Sequence, residues 1–292
     1  MSSSGNVTFG AASAVVSRGP SPIIWADCPA VEFIKDPGKG IHQFDDFKNS
    51  GIELEEAART AWTGGIGKIN GDMNWYGYTE TALVADVALQ ADDEGVLMLD
   101  TDGTDDDTVG ITGGDNVVGV FRAPKVGETK KFWFECRIKT STITNTDLSW
   151  FVGLMEPGKL GNGTPLGAAP TAPADYDYVG FFVAEADGDD LTIIYNEATS
   201  GTAQSTTGLI TLVADTYVRI GMKAVFNGYN GRFRFYADGV DLGDAVAVDI
   251  DSTNANWPGD TNMDIIITAT SGAAGADGDN LKIDWVRCAQ EY

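Results

Sequence analysis

Three groups of residues in this chain have the types and spacing to do chemistry. The first is Asp100-Thr-Asp102-Gly103-Thr-Asp105-Asp106-Asp107, five carboxylates in eight residues around a glycine that lets the backbone fold back. A hard cation such as calcium takes six to eight oxygen ligands, which makes Asp100, Asp102 and Asp105 candidate ligands. The string lacks the twelve-residue EF-hand spacing and its closing Glu, so a solvated acidic loop is the competing explanation. Ala274-Gly-Ala-Asp-Gly-Asp-Asn280 is a weaker version of the same pattern. The second group is aromatic: Trp62, Trp75, Tyr76 and Tyr78 lie in a glycine-rich stretch with Asn and Asp neighbours. An exposed ring beside polar groups stacks on a sugar face, which nominates Trp75 and Tyr76 as carbohydrate contacts; the same rings also serve as sandwich core or interface. The third group is Phe9, Ile23, Ile24, Trp25 and Phe33, apolar residues set in a Ser-, Ala-, Gly- and Pro-rich N-terminal stretch.

Other chemistries are excluded by residue count. His42 is the single histidine, so no multi-histidine metal centre or His-centred triad extends beyond it. Cys28, Cys136 and Cys288 are odd in number and far apart, which argues for reduced thiols rather than a disulfide framework or a zinc site. Lys68 follows Gly65-Ile-Gly67 without Walker spacing, so no nucleotide site is implied. Net charge removes further partners: 19 Lys and Arg against 43 Asp and Glu leave −24 over 292 residues. Such a chain repels phosphates, so neither nucleic acid nor an anionic membrane is expected as a partner. No run of 18 apolar residues suggests a membrane helix, and the N-terminus lacks the basic start of a signal peptide.

The elements that must position these groups read as strands. Phe132, Phe134, Cys136 and Ile138 alternate with Glu135, Arg137 and Lys139, and Val218, Ile220, Met222, Ala224 and Phe226 alternate with Arg219 and Lys223. That is the period of two of a half-buried strand. About ten strands are expected, and Asp-Gly pairs in Glu185-Ala-Asp-Gly-Asp-Asp190 and Tyr236-Ala-Asp-Gly-Val240 predict hairpin turns. One short helix is expected near Gly51 to Ala61, with Glu53, Glu55 and Glu56 on its solvated face. The segment from Pro157 to Pro173 reads as a surface loop. The fold class is therefore all-β, an antiparallel two-sheet jelly-roll sandwich over residues 45–292. Residues 1–44, broken by Pro20, Pro22, Pro29 and Pro37, read as an extended N-terminal arm. Its charges cancel, and its Ile-Ile-Trp cluster predicts docking on another subunit or back on its own body.

Asp215-Thr-Tyr-Val-Arg-Ile-Gly-Met-Lys223, Gly231-Arg-Phe-Arg-Phe-Tyr-Ala-Asp-Gly239 and the closing Asp279-Asn-Leu-Lys-Ile-Asp-Trp-Val-Arg287 resemble the concanavalin A-like (laminin G-like) jelly roll over roughly residues 44–292. The Phe44-Asp-Asp-Phe47 opening and the Gly95-Val-Leu-Met-Leu strand are similar to such domains in tailed-bacteriophage virion proteins. Arm plus jelly roll resembles a head decoration protein. The resemblance implies a virion structural protein, assembled in the host cytoplasm, that binds major capsid protein or other virion subunits and forms a homo-oligomer, with a trimer plausible. Phe9, Ile23, Ile24, Trp25 and Phe33 would make the partner contacts. The alternative it implies is a lectin-like module of a viral tail or surface structure, using Trp75 and Tyr76. The same fold hosts laminarinase-type hydrolases with a Glu-x-Asp-x-x-Glu strand; here Glu185-Ala-Asp187-Gly-Asp-Asp190 lacks the last Glu and carries a glycine. A turn explains it better, and no enzymatic activity is expected. No cofactor is expected apart from the candidate calcium.

Overall fold

Period-two alternation accounts for most of what the chain builds. The computed structural model describes residues 18–48, 51–53, 65–70, 73–79, 86–90, 95–113, 119–125, 127–160, 165–166, 171–198, 202–228, 230–250, 254–259 and 261–292. Two short helices, α1 (Pro22–Trp25) and α2 (Ala30–Lys35), come first. The strands begin with β1 (Gly40–Asp45), β2 (Gly51–Glu53), β3 (Gly65–Asn70), β4 (Asn74–Thr79), β5 (Val87–Gln90), β6 (Val96–Asp102) and β7 (Thr108–Gly113). Next are β8 (Phe121–Arg122), β9 (Phe132–Thr140), β10 (Leu148–Met155), β11 (Tyr178–Val183), β12 (Asp190–Asn196) and β13 (Gln204–Thr211). The last are β14 (Val218–Asn227), β15 (Asn230–Ala237), β16 (Val240–Asp241), β17 (Val248–Ile250), β18 (Asn262–Ser271) and β19 (Asp277–Glu291).

The first sheet runs β16-β15-β14-β9-β19-β6-β5, with β1 paired to β19 and β17 to β15. The second runs β13-β12-β11-β10-β18-β7-β4-β3-β2, with β8 against β18. Their inward faces meet in one core that holds Trp75, Leu97, Ile111, Phe134, Trp150, Phe181, Phe233 and Ile265. This is the predicted antiparallel two-sheet jelly roll. Asp238 and Gly239 take φ of 46° and 77° between β15 and β16, the positive pair that a tight hairpin turn needs. Glu185–Asp187 also links two paired strands, β11 and β12, through a 3₁₀ turn in which Gly188 keeps a negative φ. The three cysteines are free thiols, and among the described residues no helix is long and apolar enough to cross a membrane.

Two local expectations are corrected. Gly51–Glu53 is strand, not the start of a helix, because it pairs in register with Lys68–Asn70 of β3; residues 54–61 lie outside the described residues. The described part of the N-terminal segment, from residue 18, holds two short helices where an extended run was expected, and residues 1–17 lie outside the described residues. Pro22 sits in the first turn of α1, where no amide hydrogen is missed, and Pro29 immediately precedes α2, so the prolines bound the helices instead of preventing them. β1 also crosses the boundary placed at residue 44, running to Asp45 along β19.

Candidate carbohydrate face, N-terminal clamp and acidic row

The N-terminal residues pack on the outward face of the first sheet of their own body. Ile24, Trp25 and Phe33 are buried there with Trp133, Tyr236 and Ala289. Gly221 makes room: a β-carbon at that position would lie 2.6 Å from Ile24 Cδ1. Beneath them Glu135 is fully buried and accepts from the Ser21 amide at 2.8 Å, the Trp25 indole at 2.7 Å and the Ser21 hydroxyl. Burial pushes the Glu135 carboxyl up, against the pull of these donors and Arg219. Asp27 takes Lys223 Nζ at 2.6 Å and Trp133 Nε1 at 3.1 Å; these bonds and Lys131 outweigh its desolvation and bring its carboxyl down to about 2. Arg18 and Arg137 both grip Asp284, and Arg287 lies 3.9 Å over the Trp25 ring while donating to His42 Nε2 at 3.0 Å.

This clamp corrects the partner-contact assignment. Ile24, Trp25 and Phe33 are consumed by the chain's own sheet, so they are not available to another subunit; Ile23 is 60% exposed, and Phe9 lies outside the described residues. It also explains why Glu135, Arg219 and Lys223, which alternation places toward solvent, are buried.

On the second sheet, Trp75 and Tyr76 separate. Adjacent strand residues face opposite sides, and Trp75 is the inward one, fully buried against Phe47 with its indole donating to Asp45 Oδ2 at 3.0 Å. Asp45 also accepts from the amides of Phe47 and Met73, which fixes β4 against the Phe44–Phe47 turn. Trp75 is therefore a core residue and not a ligand contact. Tyr76 faces outward, half-buried, with Thr112 of β7 and Lys68 of β3 as its register partners. Trp62 lies outside the described residues. Further across the same outward face, Phe151, Met155, Tyr178, Phe182, Ile194 and Ile266 form a second apolar cluster capped by Leu166. Leu160 lies close over Gly110, so Leu160, Leu166, Ala172 and Tyr176 cover the centre of the face while the β4 side keeps its aromatic residue partly open.

The sequence string for a cation divides as well. Asp100 and Asp102 are half-buried on β6, whereas Asp105 is exposed on the turn and is not part of their cluster. Sequence spacing missed Asp86, and it did not join the weaker Ala274–Asn280 string to the first one; strand pairing does, with Asp102 in register with Asp277 and Asp100 with Asn280. Glu185 is buried and accepts from the Ala273 amide at 3.1 Å, a turn-holding role. A cavity of about 210 Å³ opens near β8, lined in part by Phe121, Arg122, Lys130, Glu291 and Tyr292.

No family model and no curated protein matches the sequence. Solved structures do match in fold. An endo-1,3-beta-glucanase from Streptomyces sioyaensis has a TM-score of 0.52 at 15% identity, covering 85% of this chain and 94% of that one. A LamA variant from Z. galactanivorans in complex with laminaritriose and laminaritetraose gives 0.48 at 11% identity, over 86% and 99%. Peanut lectin gives 0.44 at 12% identity, over 86% and 97%. The expectation of a non-enzymatic chain is corrected by the first of these: the fold is one that a glucanase uses. The likeness gives no support to a virion surface protein; what it shows is the fold, an antiparallel two-sheet jelly roll of concanavalin A-like architecture.

Proposed function

We propose that this chain is a carbohydrate-binding protein whose ligand, a β-linked glucan, lies on the outward face of the second sheet against Tyr76. The observation that carries this is the split at β4: Trp75 is spent on the core, while Tyr76 keeps a partly open ring on the sheet surface. A flat ring held on a rigid strand stacks on a sugar with little entropy to lose. The fold shared with the glucanase supports β-1,3-glucan as the ligand class to try first. Decoration of a shell through the N-terminal segment loses its support, because three of the five contact residues are buried in the chain itself.

Isothermal titration of the full chain with soluble β-1,3-glucan, alongside a reducing-sugar assay, tests the reading. Saturable binding that weakens about fivefold or more in Tyr76→Ala is expected, since a stacked ring contributes about 1 kcal/mol or more. Absence of binding to any β-glucan, or wild-type affinity in Tyr76→Ala, would overturn it. Release of reducing ends would make the same face the place to look for catalytic carboxylates.

A further inference from the structure

The cavity beside β8 sits where the two sheets are stitched together. β8 pairs with β18 of the second sheet, Arg122 opposite Asn262 and Phe121 opposite Met263. From the first sheet, Gln290 of β19 accepts the Arg122 amide at 2.9 Å and donates to the Arg122 carbonyl. The residues on either side are braced as well: Asp264 accepts the Val120 amide at 3.0 Å, and the Trp257 indole donates to the Pro124 carbonyl at 2.8 Å. On another wall the Lys131 amide donates to Glu291 Oε2 and the Glu291 amide to the Lys131 carbonyl, both at 3.0 Å. The walls are therefore fixed before anything enters, as in most small-molecule sites.

Phe121, Pro124 and Tyr292 give the cavity apolar surface, and Tyr292 is 54% exposed. Its charged lining is two cations, Arg122 and Lys130, and two anions, Glu128 and Glu291. One Glu291 oxygen is committed to the Lys131 amide. Glu128 and Lys130 are uncommitted: among the described residues neither side chain has a hydrogen bond or an ion pair. Residues 122–131 carry four Lys or Arg and one Glu in a chain of net charge −24, so this mouth attracts an anionic group that the rest of the surface repels. A volume of about 210 Å³ is the share of about seven waters in the liquid, room for an apolar side chain with its charged end at the mouth. A neutral sugar would leave these charges unanswered, and a simple anion would meet Glu128 with like charge. We propose that this cavity binds a free α-amino acid with an apolar side chain. Its carboxylate meets Arg122 and Lys130, its ammonium meets Glu128, and its side chain packs among Phe121, Pro124 and Tyr292. A guanidinium suits the first of these contacts in both shape and charge. The inference is independent of what the second sheet binds.

Isothermal titration of the full chain with L-leucine, N-acetyl-L-leucine and L-leucinamide tests the site, because the second probe lacks the ammonium and the third the carboxylate. Saturable binding of about one L-leucine per chain is expected, with each analogue about fivefold or more weaker. Lys130→Gln should weaken L-leucine about fivefold and leave L-leucinamide unchanged. Glu128→Gln should weaken L-leucine by a similar factor and leave N-acetyl-L-leucine unchanged. Neither side chain holds the fold, so both variants should keep the wild-type Tm, and the wild-type ranking of the three probes decides the question even where a variant fails to fold. No binding of L-leucine, an analogue that binds as tightly as L-leucine, or L-leucine affinity unchanged in either folded variant would each overturn the site.

Discussion

Replacing Glu135 by Ala should release the N-terminal clamp from the body without unfolding the sandwich. Glu135 is fully buried and receives three donors from one short segment: the Ser21 amide at 2.8 Å, the Trp25 indole at 2.7 Å and the Ser21 hydroxyl. The hydroxyl can rotate to a new acceptor; the two N–H groups cannot. A buried donor left unsatisfied costs about 1 to 3 kcal/mol, and removing the carboxylate returns part of that by ending its own desolvation penalty. The balance is about 3 kcal/mol, and it falls on the segment alone, since the strands below keep their ladders. Each 1.4 kcal/mol is tenfold in an opening equilibrium, so amides of residues 19–36 should exchange with solvent about a hundredfold faster in Glu135→Ala, read by hydrogen-exchange mass spectrometry. Glu135→Gln keeps one oxygen for the two N–H donors and should cost only about 1 kcal/mol. Unchanged exchange of residues 19–36 in Glu135→Ala would refute the claim that this carboxylate holds the segment.

Trp75→Ala should lower unfolding free energy by about 3 to 5 kcal/mol, the usual cost of emptying a buried Trp site, whereas Tyr76→Ala should stay within about 1 kcal/mol of wild type; chemical denaturation separates the two, and equal losses would contradict their opposite orientations. Gly221→Ala pushes a methyl to 2.6 Å from Ile24 Cδ1 and should cost about 1 to 3 kcal/mol of docking by overpacking, visible as faster exchange in α1 with little change in Tm. His42 gives a pH signature: burial and then Arg287 lower its pKa to about 4, against about 6.5 in the unfolded chain. The unfolded chain therefore binds a proton that the folded chain refuses, so this residue's stability is complete above pH 6.5 and is lost as pH falls toward 4. Discounted for solvent screening, wild type should lose about 1 kcal/mol relative to His42→Gln between pH 7.5 and 4.5; parallel stability curves would show that His42 does not titrate in this window.

Strand identity was legible wherever polar and apolar residues alternate. The alternation of β14 from Val218 onward and the Asp238-Gly239 turn between β15 and β16 needed only local spacing. What was not legible depends on pairing across long separations. Nothing near Glu135 announces that Ser21 and Trp25 will cover it, so the period-two pattern of β9 reads as half-solvated although its outward face is buried at Trp133 and Glu135. Trp75 owes its core position in part to Asp45, thirty residues earlier. That Trp75 and Tyr76 face opposite sides was, by contrast, available from the strand period alone. The acidic row shows the same division: Asp100 and Asp102 stand out by crowding, but Asp86 and Asn280 join them only through β5 and β19.

A crystal structure of the chain soaked with a β-1,3-linked oligosaccharide tests the central claim most directly. The account predicts a sugar ring stacked on Tyr76 along β4 and β7, on the outward face of the second sheet. Sugar bound instead in the cavity beside Arg122 and Tyr292, or no sugar at a concentration that saturates binding in solution, would contradict it.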